Sequence, residues 1–131
     1  DEALVLEREI YAKHVAIAAS DEQIVRSGGN LACGLLRVNR FVEAKTLLRE
    51  LRPKARQSLG LNHNCTLNVE EWIATALHED PDASSDDWHE AESLFLGALQ
   101  RRRLVFGPTH PSTAWCEEDL SCVREKLAKL E

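Results

Sequence analysis

Apolar residues along this chain fall on helical stripes. Leu47, Leu48 and Leu51, and again Leu94, Phe95 and Leu99, recur at three- to five-residue intervals, which gathers them on one face of a helix. Stop signals divide the pattern. Gly60 and Gly107 each follow the last apolar residue of a stripe, where a glycine can take the left-handed conformation that ends a helix. Pro111 suits the first turn of a new helix, since its missing N–H would be unpaired there anyway. The segment from Asp80 to Asp87 is polar, carries Pro81 and has no apolar period, so it reads as an enlarged loop. Six helices are expected, roughly 2–19, 22–37, 40–58, 64–78, 87–106 and 111–130. Pro53 should kink or end the third near Arg52, because it removes a backbone donor and crowds the preceding turn.

The stripes repeat. Glu43, Ala44 and Leu47 recur as Glu90, Ala91 and Leu94, and Gly60, His63 and Thr66 as Gly107, His110 and Thr113, all at an offset of 47. Gly29-Asn30-Leu31-Ala32 is followed 42 residues later by Glu71-Trp72-Ile73-Ala74, and 47 residues beyond that by Glu118-Asp119-Leu120-Ser121. Each unit is thus a pair of helices, and the five-residue difference falls in the polar loop. Small residues at Ala32, Ala74 and Ser121, and at Ala44 and Ala91, let paired helices approach closely. The first helix opens with Glu2-Ala3, so it reads as a second helix of a pair, and Ala18 and Asp21 stand where later linkers carry Gly and His.

The pattern Asn-Leu-Ala, aromatic-x-Glu-Ala-x-x-Leu, Leu-Gly-x-x-His-x-x-Thr resembles the longer tetratricopeptide repeat of kinesin light chains, over nearly the whole chain. Asn39-Arg40-Phe41 and Asp86-Asp87-Trp88 stand in place of the family's Gly-containing turn, and Asn64 replaces the linker Pro that Pro111 keeps. The resemblance implies an all-α, tetratricopeptide-like α-solenoid of about six antiparallel helices in stacked pairs, forming a single domain over residues 1–131. It implies a concave groove lined by first helices, a protein or peptide partner, and no catalysis by the repeats. By repeat register the groove positions are Arg26, Gly29, Cys33 and Arg37, then Asn68, Glu71, Thr75 and His78, then Trp115, Glu118, Cys122 and Lys126. Arg and Asn there could hold a carboxylate or a peptide backbone; the competing reading is a solvated or partner-buried helix face.

Composition narrows the classes. Aromatics are 5% and apolar residues 44%, a palette for a core of Leu, Val, Ile and Ala. A net charge of −6 disfavours nucleic acid as the main partner, and no apolar run approaches a membrane span. Cys33, Cys65, Cys116 and Cys122 show no metal spacing, so free thiols are expected, suiting a reducing compartment such as cytoplasm or an organelle matrix. No metal or cofactor motif is present, and the absence of Met suggests an excised domain or a processed chain. His63 and His110 recur at linkers, which points to a role in shaping the turn. Arg101-Arg102-Arg103 spreads over three faces of a helix, but with Arg49, Arg52, Lys54 and Arg56 could build a basic convex stripe. The seven acidic residues from Glu79 to Glu92 read as a solvated loop or as a dock for a basic partner. Trp72, Trp88 and Trp115 are core candidates, with Trp115 also at a groove position. The apolar residues Leu4, Ile10 and Val15 of the first helix need cover, so the terminal helices are candidate docks for other subunits.

Overall fold

The computed structural model describes residues 1–130 and contains six helices among them. They are α1 (Glu2–Ala16), α2 (Asp21–Arg37), α3 (Phe41–Ser58), α4 (Asn64–Glu79), α5 (Ser85–Phe106) and α6 (Pro111–Ala128). Each packs against the next in the chain, and α2 also touches α4, as α4 touches α6. The result is a two-layer, tetratricopeptide-like α-solenoid, with α2, α4 and α6 in one layer and α1, α3 and α5 in the other. The main core runs from Val25 and Ala32 through Leu48, Leu67, Ile73, Phe95 and Leu99 to Leu120 and Val123. A smaller cluster of Leu4, Leu31, Leu35 and Ala44 joins α1 to the stack. Four of the five small residues act as expected, with Ala32, Ala44, Ala74 and Ala91 fully buried, but Ser121 is exposed, because α6 has no further helix packed over it among the described residues.

The recurring Gly-x-x-His-x-x-Thr segment now has a mechanism. Gly60 and Gly107 both sit at φ +91°, open to a residue without Cβ. His63 and His110 are N-caps: Nδ1 of His63 accepts from the Cys65 N–H at 3.0 Å, and Nδ1 of His110 accepts from the Ser112 N–H at 3.1 Å. Thr66 and Thr113 are buried, and their hydroxyls donate back to the carbonyls of Ala55 and Gly107. The first linker differs. Ala18 takes φ +52° without glycine, and Ser20 caps α2 in a reciprocal box with Gln23. Asn39, where the family has a Gly-containing turn, takes φ +64°, and the Arg40 and Asn39 N–H groups close onto the Leu35 and Leu36 carbonyls.

Three expectations shift. Pro53 does not end α3, which runs on to Ser58; the ring is exposed, so solvent can serve the carbonyl it leaves unpaired. Helix α5 begins at Ser85 rather than 87, because Ser84 and Asp87 form a second capping box. Helices α1 and α6 end at Ala16 and Ala128, short of 19 and 130. The extra residues between the repeats therefore lengthen α5 as well as the α4–α5 loop.

Candidate functional site

The exposed face of α2, α4 and α6 carries depressions lined by Trp72. This half-buried indole lies over Gly29 of α2, where a Cβ would come within 2.8 Å of its Cζ3. Only a residue without a side chain lets α4 set an aromatic ring against α2 at that point. Three depressions meet at Trp72. One of about 540 Å³ lies between α4 and α6 and takes in Arg102, Phe106, Trp115 and Asp119. One of about 410 Å³ lies between α2 and α4 and takes in Cys33, Arg37, Thr75, Glu79 and Asp119. A smaller one of about 140 Å³ is bordered by Arg26, Asn30, Asn64 and Asn68.

Arg102 organises this face from behind. It is 2% exposed and reaches from α5 into α4. Its guanidinium pairs with both oxygens of Glu71, and donates to Oδ1 of Asn64 at 3.0 Å and to Oδ1 of Asn68 at 2.9 Å. The fork geometry of Arg suits this multidentate role. Asn68 and Glu71, expected as ligand-holding residues, are thus already engaged within the protein. Lys126 is engaged too: its ammonium donates to Nδ1 of His78 at 3.0 Å and to the His78 carbonyl at 2.9 Å. Arg26 pairs with Glu22 at 2.9 Å, and Arg37 with Asp1 and Glu7 at 3.2 and 3.4 Å.

The remaining expected positions separate clearly. Arg26, Cys33, Arg37 and Trp115 are exposed, and Thr75 is half-buried with its hydroxyl bonded to the Glu71 carbonyl. Trp115 is 66% exposed, so it is not a core residue. His78 is a correction: it is buried, stacked edge-on against Phe95 with ring centroids 5.7 Å apart, and is a structural stitch rather than a groove residue. Burial, and then the charge of Lys126, hold its pKa down at about 4. The repeat offset itself carries Arg37 to Glu79, one residue further along, and Glu79 is exposed on the concave side.

Two further groove residues escaped the register as first drawn, Trp72 and Asp119. They are equivalent positions, 47 residues apart, and Asn30 is the same position in α2. Asp119 is half-buried and makes no ion pair or hydrogen bond among the described residues. Burial, followed by the charges of Glu71, Glu79 and Glu118, pushes its carboxyl up to about 6. Cys116 beneath it is buried, and burial together with Glu71 drives its thiol well above the ordinary range. All four cysteines are free thiols, with Cys33 and Cys122 exposed.

The possible basic convex stripe is engaged at all its positions but Arg101 among the described residues. Arg52 and Arg56 both clamp the buried Glu70 of α4, with bonds of 3.1 and 2.8 Å to Oε1. Lys54 pairs with Asp21, Arg49 with Glu90 and Arg103 with Glu117. The acidic segment is likewise partly occupied: Asp80 faces Lys45, Asp87 caps α5 and Glu92 pairs with Arg124. Among the described residues no group of three or more His, Cys, Asp or Glu could hold a metal ion, and no helix is long and apolar enough to cross a membrane.

A tetratricopeptide repeat family model matches residues 83–112, which are the end of the α4–α5 loop, all of α5 and the Gly107–His110 linker into α6. No curated protein matches the sequence.

Proposed function

We propose that this chain is a non-catalytic protein-interaction scaffold that holds a protein segment on the face formed by α2, α4 and α6. One observation carries the reading. The depressions around Trp72 adjoin one another, share its indole as a common wall and are bordered by exposed Trp115, while a concave, partly aromatic surface is the usual form of a recognition site. The tetratricopeptide match supports it, since such repeats generally mediate protein–protein contacts. The recurring offset of 47 and the two Gly-x-x-His linkers support the longer, kinesin-light-chain-like variety of repeat, working as one domain over residues 1–131. A photo-crosslinking residue placed at Thr75, on the concave side, should trap a protein from the source lysate, whereas one at Gln57, on the opposite layer, should not. Adducts formed only from Gln57 would sink the groove reading.

A second reading has its own observation. Helix α1 buries only Leu4 and leaves Leu6 and Ile10 56% and 41% exposed. Such a stripe suits a subunit built permanently into a larger assembly, docked by its terminal helix. A chain that sediments as a clean monomer and shows no affinity for apolar dyes at α1 would count against it.

A further inference from the structure

The charges on the concave face are not balanced in the way its composition suggests. Its three arginines have carboxylate partners, Arg26 with Glu22, Arg37 with Asp1 and Glu7, and Arg102 with Glu71, while Lys126 is held by the neutral His78 ring and carbonyl and keeps its charge. Not all of its anions are paired. Glu79, Glu118 and Asp119 make no ion pair among the described residues, and two of them, Glu79 and Asp119, border the depression of about 410 Å³ beside Trp72. A face can therefore attract cations although Arg residues lie along it, because an engaged guanidinium offers little to an incoming anion.

Trp72 adds a second attraction. The face of an indole carries negative potential, and a cation set against it gains further when it is also desolvated. Glu71, Trp72 and Asp119 border both the α2–α4 and the α4–α6 depressions, so they form the ridge between them. A side chain lying over that ridge meets an aromatic face and carboxylates together. On this basis, and resting on the concave-face reading above, we propose that the segment held in the groove is basic, with a Lys or Arg head seated between Asp119 and Glu79 against the Trp72 indole.

The state of Asp119 agrees with the proposal. The groups that face it are Glu71 and Glu79 from α4, and Glu118 and the neutral Cys116 thiol from its own helix; the cations that share its depressions, Arg102 from α5 and Arg37 from α2, are both paired elsewhere. An incoming cation would relieve that repulsion, and would do so only while Asp119 is ionised. Binding should therefore weaken as the pH falls from about 7 to about 5, a window in which an ordinary carboxylate stays charged.

The test uses three labelled peptides of equal length: one rich in Lys and Arg, one rich in Asp and Glu, and one uncharged. Each is titrated into the intact chain, reading polarisation of the label and emission of the tryptophans. The basic peptide should bind about tenfold or more tighter than the acidic one, lose affinity with added salt, and lose about tenfold in the double variant Asp119→Asn, Glu79→Gln. Thermal melts confirm that the variant is folded. Failure of all three peptides to bind, equal or tighter binding of the acidic or uncharged peptide, or an unchanged affinity in the double variant overturns the proposal. The outcomes also separate the two readings. An acidic or uncharged peptide whose binding is lost in Trp72→Ala leaves the groove as the site and removes only the cation. Basic-peptide binding indifferent to Trp72→Ala puts the site elsewhere and removes both.

Discussion

The two ends of the stack are built from equivalent positions and finished differently. Helix α1 aligns with α3 and α5 through Glu2, Glu43 and Glu90, so that Ala3, Leu6 and Ile10 correspond to Ala44, Leu47 and Leu51. In α3 this stripe packs against α2, with Ala44 fully buried and Leu51 2% exposed; in α1 it is bare. At the other end, α6 aligns with α2 and α4. Where those helices set Leu35 and Leu77 against their partner, both 1% exposed, α6 has Arg124, paired with Glu92 of α5. Where α4 has the buried Glu70, α6 has Glu117, paired with Arg103. A polar outer face is what a solenoid needs to end in water. At these positions α6 thus presents charged, paired side chains, whereas α1 presents apolar ones. The same helix-pair pattern can present a polar or an apolar face, according to two or three residues.

The means of attachment differ as well, and the largest expected effects come from breaking them. The C-terminal half is stitched by a buried polar clamp. Arg102→Ala removes the cation paired with Glu71 and leaves two Asn carbonyls without a donor, which should cost about 3–5 kcal/mol. Urea unfolding would measure it, and a loss below about 1 kcal/mol would mean that water replaces the guanidinium. The N-terminal helix has no such clamp. It is held by Leu4, by half-buried Tyr11 and by ion pairs such as Arg8–Glu43 at 2.7 Å, which are too exposed to contribute much. Leu4→Ala should cost about 2–3 kcal/mol and release α1 before the rest. Amide exchange would show protection falling in α1 alone; uniform loss along the chain would mean that α1 and the stack unfold together.

The contrast also explains what could be read from the sequence. Helix order, repeat offset and linkers were legible because each depends on local chemistry: Gly60 and Gly107 need φ +91°, and Thr66 and Thr113 need a nearby carbonyl. The groove was partly legible. Arg26, Cys33, Arg37 and Thr75 follow the register, whereas His78 does not, because four residues beyond Thr75 on a helix comes Glu79. Trp72 reads as core by residue type, and only its shared register with Asn30 and Asp119 marks it as groove. Arg102 could not be singled out from Arg101 and Arg103. Its burial depends on where α4 brings Asn64, Asn68 and Glu71, which is tertiary information.

A smaller effect concerns pH. Asp119 and His78 push stability in opposite directions. Above about pH 6 the Asp119 carboxylate is ionised in both states and its folded-state cost is fully present; as the pH falls toward 3.8 the folded form takes the proton first and the cost is relieved. His78 is neutral in both states above pH 6.5; between there and about pH 4 only the unfolded chain takes the proton, so stability is lost. The two partly cancel. Asp119→Asn should therefore stabilise the protein by about 1 kcal/mol at pH 7, allowing for its partial exposure, and make the acid-side loss steeper. Melting temperatures across this range would show the two profiles converging on the acid side. A variant with an unchanged pH profile would mean that Asp119 is better solvated than its surroundings imply.

The smallest expected effect is the most direct test of the comparison between the ends. Ile10 and Leu51 are the same position of the repeat, 41% and 2% exposed. If α1 stands free in the isolated chain, Ile10→Gln removes an apolar residue already in contact with water and should change stability by no more than about 0.5 kcal/mol. The same substitution at Leu51 strands an amide against α2 and should cost several times more, on the order of 3 kcal/mol. Parallel denaturation curves would give the ratio. Equal losses at the two positions would mean that α1 is covered in solution by another chain, and the dependence of the Ile10→Gln effect on protein concentration would then show whether that cover is a second copy.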